Sequence, residues 1–202
     1  MPRAEEADEI DRLISHDLKG KAIASKKERY ARKWQWLPEN SEKPLEIQMA
    51  SSGQMSTWPL VYIAQALFGL GKENRPYFLH IEEPEAHLHP RAQIAVVKLL
   101  AYLANKGIHI VVTTHSLAVL YAFNNLSLAY RKLGNKEADN VPEVPVRLAP
   151  EKMSAYLFAD GTAESIIDDE GQIDESLLGE VLGDLEVEFN RLTTYKVLWG
   201  KI

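Results

Sequence analysis

Residues 77 to 90 read YFLHIEEPEAHLHP, an apolar run that ends among the carboxylates Glu82, Glu83 and Glu85 and the imidazoles His87 and His89. Glu82 and Glu83 are adjacent, and neighbouring side chains at the end of a strand point in different directions, so the two acids divide the work. One can face a cation and the other a water. A Mg²⁺ ion carrying a nucleotide keeps several waters and is held by one or two carboxylates plus phosphate oxygens, which suits an acid at a strand tip. A second carboxylate nearby can orient or deprotonate the attacking water. A second apolar run, IHIVVTTHS at 108 to 116, ends in Thr113, Thr114, His115 and Ser116. His115 at the tip of an adjacent strand is placed to hydrogen-bond a terminal phosphate. Helix capping is the plain alternative for these acids and accounts for Glu85, because anionic side chains favour a helix N-terminus. Two acids directly on a hydrophobic strand are costly to hold without a cation or a function.

The third cluster is Ser51, Ser52, Gly53 and Gln54, just before an apolar stretch. Hydroxyls, a flexible backbone and unpaired helix N–H groups directed at one place are what an anion site needs. The same residues are also the usual makings of an N-cap, so their meaning lies in the combination.

The elements that position these clusters follow from the pattern. A polar, helical N-terminal arm is expected to about Arg32, broken by Leu37-Pro38 and the polar ENSEKP stretch. Residues 44 to 50 predict a short strand, and residues 57 to 71 an apolar helix closed by Gly71. Residues 77 to 81 predict the next strand. Pro90 opens a helix that runs to about Asn105 and ends at Gly107, proline being tolerated where its missing N–H costs nothing. Residues 108 to 114 form a β-branched run too short for a helix and apolar on both faces, as in a central parallel strand. Strand, helix, strand implies a βαβ unit in an α/β fold, with ligand sites beyond the carboxyl ends of the strands, where all three clusters are expected to meet. The boundaries expected are a charged helical arm over 1–43 and an α/β lobe over 44–202.

Composition excludes several classes. The 202-residue chain is 46% hydrophobic, enough for one globular domain with a core, and no stretch approaches the roughly 18 uninterrupted apolar residues of a membrane span. With no cysteine there are no disulfides or thiolate metal sites, and MPRAEEADEIDRL carries no apolar signal region, so the expected location is cytoplasmic. The net charge of −6 is unevenly placed. Lys19, Lys21, Lys26, Lys27, Arg29, Arg32 and Lys33 crowd one stretch beside Tyr30, Trp34 and Trp36, a composition able to hold phosphates or a nucleic-acid strand. The nearby acids Glu5, Glu6, Asp8, Glu9 and Asp11 favour the plainer reading, a solvated charged face. Near the C-terminus, Leu178, Val181, Leu182, Leu185, Phe189 and Leu192 make a helical stripe expected to pack on its own domain rather than on another chain.

ASSGQ at 50 to 54, YFLHI with EEPE at 77 to 85, HLHP at 87 to 90 and IVVTTHS at 110 to 116 resemble the signature motif, Walker B, D-loop and switch histidine of ABC-type ATPases. The EEPEAHLHP wording is most similar to the branch holding OLD-family and RecF-like proteins, relatives of the SMC ATPases. The resemblance covers about residues 44 to 125, and AYLFADGTAESIIDDEGQID with the following helix resembles the tail of such domains. It implies ATP and Mg²⁺ as cofactors, with the Mg²⁺-side acid at Glu82, where many relatives have Asp, the catalytic glutamate at Glu83, and His115 on the γ-phosphate. It places Ser51, Ser52, Gly53 and Gln54 against ATP held by the opposite subunit. Ala86 to His89 fall in the D-loop across a dimer interface, which puts His87 and His89 among the nucleotide-site residues. The last D-loop position, often Asp in transporters, is His89 here.

One departure limits what the resemblance implies. The phosphate-cradling GxxxxGK[ST] loop is absent, and its nearest imitations, Gly71-Lys72-Glu73 and Gly20-Lys21-Ala22, lack the first glycine and the hydroxyl residue. With about fifty residues before the signature, the chain is expected to be the C-terminal lobe of a parallel-sheet ATPase head. Walker A would then come from a partner chain or a missing N-terminal segment, in a homodimer or heteromer, and this chain alone is expected not to hydrolyse ATP. Two other readings stand beside it. A metal-dependent hydrolase would use Glu85, His87 and His89 with His80 or His115, and a non-catalytic scaffold would keep the fold alone. The resemblance also implies a setting in DNA maintenance or defence against phage, with DNA or RNA as a possible partner and a nuclease effector supplied from elsewhere. The acids at 168 to 170 sit in a turn beside Gly171 and make no nuclease signature.

Overall fold

The computed structural model describes residues 4–24, 34–69, 76–174 and 176–196. Helix α1 (Ala4–Ile14) carries Glu5 and Glu6 in its first turn and Arg12 in its last, the charge order that suits a helix dipole. Its apolar positions Ile10, Leu13 and Ile14, with Leu18 beyond it, are buried in the main core. The expectation of a helix reaching about Arg32 is corrected. The helix ends at Ile14, and β1 (Gly20–Ala24) pairs antiparallel with β2 (Trp34–Pro38), whose other edge carries β3 (Leu45–Glu46). The physical reason is Trp36, which is 2% exposed and ties this small sheet to the core. Lys19 and Lys21 lie 3.5 Å from Glu39 and Asp11 respectively, as on a solvated charged face, while Lys26, Lys27, Arg29, Tyr30, Arg32 and Lys33 fall outside the described residues.

The strand expected over 44–50 is also shorter, because a 3-10 turn at Ile47–Met49 follows β3 directly. Helix α2 (Ser52–Gly69) starts earlier than expected, and Gly71 lies outside the described residues. Trp34 of β2 meets Trp58 and Tyr62 of α2 with ring centroids 5.4 and 4.7 Å apart.

The βαβ unit is as anticipated. Strand β4 (Phe78–Glu82) and strand β5 (His109–Thr113) run parallel, in register from Phe78↔His109 to Glu82↔Thr113, joined by α3 (Pro90–Asn105). Ala92, Ala95, Val96, Val97, Leu99 and Leu100 are all buried, so α3 is covered nearly all round and forms the centre of the core. Around it lie α1 and α4 (Leu117–Leu133), the latter capped by Ser116.

The expectation that β5 is a covered central strand is corrected. Among the described residues the parallel sheet has two strands. Leu79, Ile81, Ile110 and Val112 face the core, while Phe78, His80 and Glu82 with His109, Val111 and Thr113 face outward, Phe78 being 71% exposed. Parallel sheets are ordinarily covered on both faces. An apolar run reads alike whether its second face is covered or open, which is why the sequence pattern misled.

Strands β6 (Tyr156–Ala159) and β7 (Thr162–Ser165) form a hairpin whose turn residues Asp160 and Gly161 both have positive φ, matching the twist of a two-residue connection. Asp168 accepts from the backbone N–H groups of Glu170 and Gln172, each at 2.8 Å, so this acid closes a turn. Helix α5 (Ser176–Lys196) follows. Its expected packing on the domain is corrected for Leu185, Phe189 and Leu192, which are 55 to 64% exposed; the side chains of Leu178, Val181 and Leu182 lie outside the described set. Among the described residues no helix is long and apolar enough to cross a membrane.

Candidate functional site at the carboxyl edge of the parallel strands

The two strands end side by side, and the residues that follow each one are held by the other. Glu83 donates its N–H to the Thr113 carbonyl at 3.0 Å, continuing the ladder one step past Glu82. Glu83 then adopts φ 43°, a left-handed conformation that costs a non-glycine residue about 1 kcal/mol or more. That turn separates the adjacent acids. Glu82 stays on the open face of the sheet, exposed and without an ion-pair partner among the described residues. Glu83 brings Oε1 to 3.5 Å from His115 Nε2, and both side chains remain more than half exposed. The pair is therefore preformed and open to solvent, in reach of a ligand arriving at the strand tips.

Glu85 behaves differently from the expected helix cap. It is buried, and its Oε1 accepts from the Thr114 hydroxyl and from the His115 N–H, the latter at 3.2 Å. The cap of α3 is His89, whose Nδ1 accepts from the Arg91 N–H at 3.3 Å. His87 is exposed with φ 64°, so the stretch from Glu83 to His87 turns sharply at both ends. The hydrolase reading is corrected by this geometry. The Glu85 carboxylate turns inward to Thr114 while His87 and His89 face solvent, and among the described residues no three His, Asp or Glu side chains are grouped to hold a metal.

The 51–54 segment reaches the same turn by another route. The strand before it belongs to the antiparallel sheet, so the expectation that it lies on the same sheet edge is corrected. Ser51 and Gln54 cap α2 reciprocally: Gln54 N–H donates to Ser51 Oγ at 3.3 Å and Ser51 N–H to Gln54 Oε1 at 2.9 Å. Gln54 Nε2 also donates to the Leu18 carbonyl at 2.8 Å. Ser52 is exposed at the helix start. Gly53 is packed so tightly that an added Cβ would lie 2.8 Å from the His87 carbonyl oxygen and 2.9 Å from Leu88 Cδ2. The helix start thus touches the turn that begins at Glu83.

The structure joins Glu83 to His115 and Gly53 to His87, leaves Glu82 and Ser52 exposed at these edges, and commits Ser51, Gln54 and His89 to caps. Sequence reasoning missed Glu85 and Thr114 as a linked pair. The available signal was two threonines before His115, one of which had to turn inward. A cleft of about 370 Å³ lined by Asp11, Arg12, Lys21 and Pro38 lies between α1 and the β1–β2 hairpin, apart from these residues, and Glu82, Glu83 and His115 stand on an open edge.

Residues 3–120 match the model of a family described as an AAA ATPase domain, a span of more than half the chain. No protein of curated function matches significantly. Among solved structures, one described as the structural biochemistry of ATP-driven dimerization and DNA-stimulated activation of SMC ATPases is similar with a TM-score of 0.52 and 14% identity, over 91% of this chain and 90% of that one. That likeness is one of fold.

Proposed function

Because the chain belongs to the AAA ATPase domain family, we propose that it acts as the C-terminal lobe of an ABC-type ATPase of the OLD, RecF and SMC-like branch. In this reading it binds and hydrolyses Mg-ATP in a dimeric or heteromeric assembly. The observation that carries the reading is the Glu83–His115 pair, 3.5 Å apart at the ends of two hydrogen-bonded parallel strands. The donor set fits a nucleotide-borne cation, because one exposed carboxylate at a strand tip, Glu82, suffices when phosphate oxygens supply the rest. When bound, Mg²⁺ would neutralise charge on the transferring phosphoryl group.

The chain's own residues then divide the remaining work. Glu83 orients the attacking water and takes its proton at the carboxylate. His115, beside Glu83, donates a hydrogen bond to the terminal phosphate. Ser51, Ser52, Gly53 and Gln54 meet the phosphate of a nucleotide held on the facing subunit, where the N–H groups of Ser52 and Gly53, outside the reciprocal Ser51–Gln54 cap, favour an anion. His87 and His89 lie in the loop between the two heads. The phosphate-cradling loop that this sequence does not contain comes, in this proposal, from a partner chain or another segment. The open face at Phe78 and Val111 supports it, since a parallel pair calls for cover on both sides. Work in DNA maintenance or phage defence, a nuclease effector, contact with DNA or RNA, and a cytoplasmic location are proposed on the motif resemblance alone.

The test is ATP turnover by the assembly recovered from the protein's own cells, compared with the same assembly carrying Glu83→Gln. Loss of at least about 100-fold in kcat with nucleotide binding retained is expected for a lost general base. Equal turnover in the variant, or none in any assembly, would move the scaffold reading ahead.

A further inference from the structure

Glu85 has no part in the proposed chemistry, yet it is the buried acid at this edge, 8% exposed, where Glu82, Glu83 and His115 are all open to solvent. Its hydrogen bonds belong to a closed ring. Glu85 Oε1 accepts from the Thr114 hydroxyl and from the His115 N–H at 3.2 Å. Thr114 Oγ1 accepts from the Ser116 N–H at 3.1 Å, and the Ser116 hydroxyl donates to Gln93 Oε1 at 2.6 Å. Gln93 Nε2 donates to the Leu88 carbonyl at 3.0 Å, and the Leu88 N–H returns to the Glu85 carbonyl at 3.0 Å. Three segments are locked together in this way: the turn from Glu83 to Leu88, the first turn of α3 and the loop that carries His115.

We propose that Glu85 is a positioning residue, whose carboxylate holds the His115 backbone so that the imidazole stands beside Glu83. The inference deepens the ATPase reading above and rests on it for its catalytic consequence. The physical case is a contrast in exposure. A histidine and a carboxylate that are 83% and 54% exposed hold each other weakly in water, so their spacing must be set by what lies beneath them. Beneath them is the buried side chain of Glu85, one oxygen of which accepts twice from the segment that carries His115. Glu85 Oε2 is enclosed without a partner among the described residues, an arrangement that carries a cost. A helix cap would avoid that cost, and the capping position of α3 is already filled by His89.

The experiment is amide hydrogen exchange on the isotope-labelled full chain, comparing wild type with Glu85→Gln, Glu85→Ala and Thr114→Val. Exchange at His115 is expected to quicken by about tenfold or more in Glu85→Ala and to stay near wild type in Glu85→Gln, whose amide oxygen still accepts, while α3 keeps its protection. Thr114→Val is expected to fall between. Unchanged exchange at His115 in Glu85→Ala, or equal quickening along the whole chain, overturns the proposal. Should Glu85→Ala not fold, Thr114→Val decides by the same amide. In an assembly that turns over ATP, Glu85→Ala lowers kcat and leaves KM within about twofold, and Glu85→Gln restores most of the loss; a defect confined to KM overturns the role. A local change at His115 with no turnover in any assembly leaves the positioning role standing and removes the ATPase reading.

Discussion

Gly53 and His87 approach so closely that a single methyl on Gly53 would sit 2.8 Å from the His87 carbonyl oxygen, backbone that cannot swing aside. Leu88 closes the other side at 2.9 Å. Gly53→Ala is therefore expected to destabilise the chain by about 1–3 kcal/mol through overpacking. Chemical denaturation of the purified chain reads this directly, and an unchanged midpoint would show that α2 and the turn are not in contact. Gly107, with nothing within 4 Å of its added Cβ, is the control for crowding, although its φ of 90° brings a backbone cost of its own.

The β1–β2 hairpin makes a parallel prediction. Gly20 has φ 146°, and a Cβ there would meet the Leu37 carbonyl at 2.4 Å and Trp36 Nε1 at 2.7 Å. Gly20→Ala should cost about 1–3 kcal/mol and move Trp36 out of its buried seat, a shift that its fluorescence would report against the other tryptophans. Wild-type stability and emission in this variant would refute the close packing.

Arg12 links α1 to the segment before Val144. It bonds Glu9 at 2.7 Å and Glu143 at 2.5 Å, and these bonds hold both carboxylates below their ordinary value. A lowered carboxylate pKa contributes stability that is present above the unfolded value of 4.5 and is lost as the pH falls through the folded value. The groups are substantially exposed, so the contribution is about 0.5–1 kcal/mol. Burial pushes Asp11 the other way, up from its ordinary value, so its contribution has the opposite sign: stability is lost as the pH rises through the raised value. Arg12→Ala should lower stability near neutrality and flatten its fall between about pH 5 and 3, as urea melts at several pH values would show. An unaltered acid limb in the variant would mean that Arg12 stabilises neither acid.

The parts legible in the sequence are those whose signals are local. Pro90 and the run after it fixed α3 because proline at a first helical turn and continuous burial both act within the helix itself. The β-branched run at 109–113 fixed β5 for the same reason. The β1–β2 hairpin was hidden, since Lys21 and its neighbours read as a charged helix while the decisive residue, Trp36, acts through long-range burial. The placement of Glu82, Glu83 and His115 at strand ends could be read from the pattern, because a strand end is a local feature. Glu85 could not, because its partners lie about thirty residues away and only the fold shows which acid turns inward.

A periodic apolar stripe likewise tells that a helix has a seam and says nothing of what covers it. Leu185 and Leu192 of α5 are 55% and 60% exposed, whereas Leu99 of α3 is fully buried. Truncating a leucine costs stability in proportion to the contacts and apolar area it buries, so the same chemical change should have two very different effects here. Leu99→Ala is expected to cost about 2–5 kcal/mol, and Leu185→Ala or Leu192→Ala within about 0.5 kcal/mol. Urea melts of the purified chain at low protein concentration separate these values, because dilution removes any contribution from contacts between molecules. A cost above about 2 kcal/mol at Leu185 under those conditions would mean that α5 packs on the body of its own chain after all.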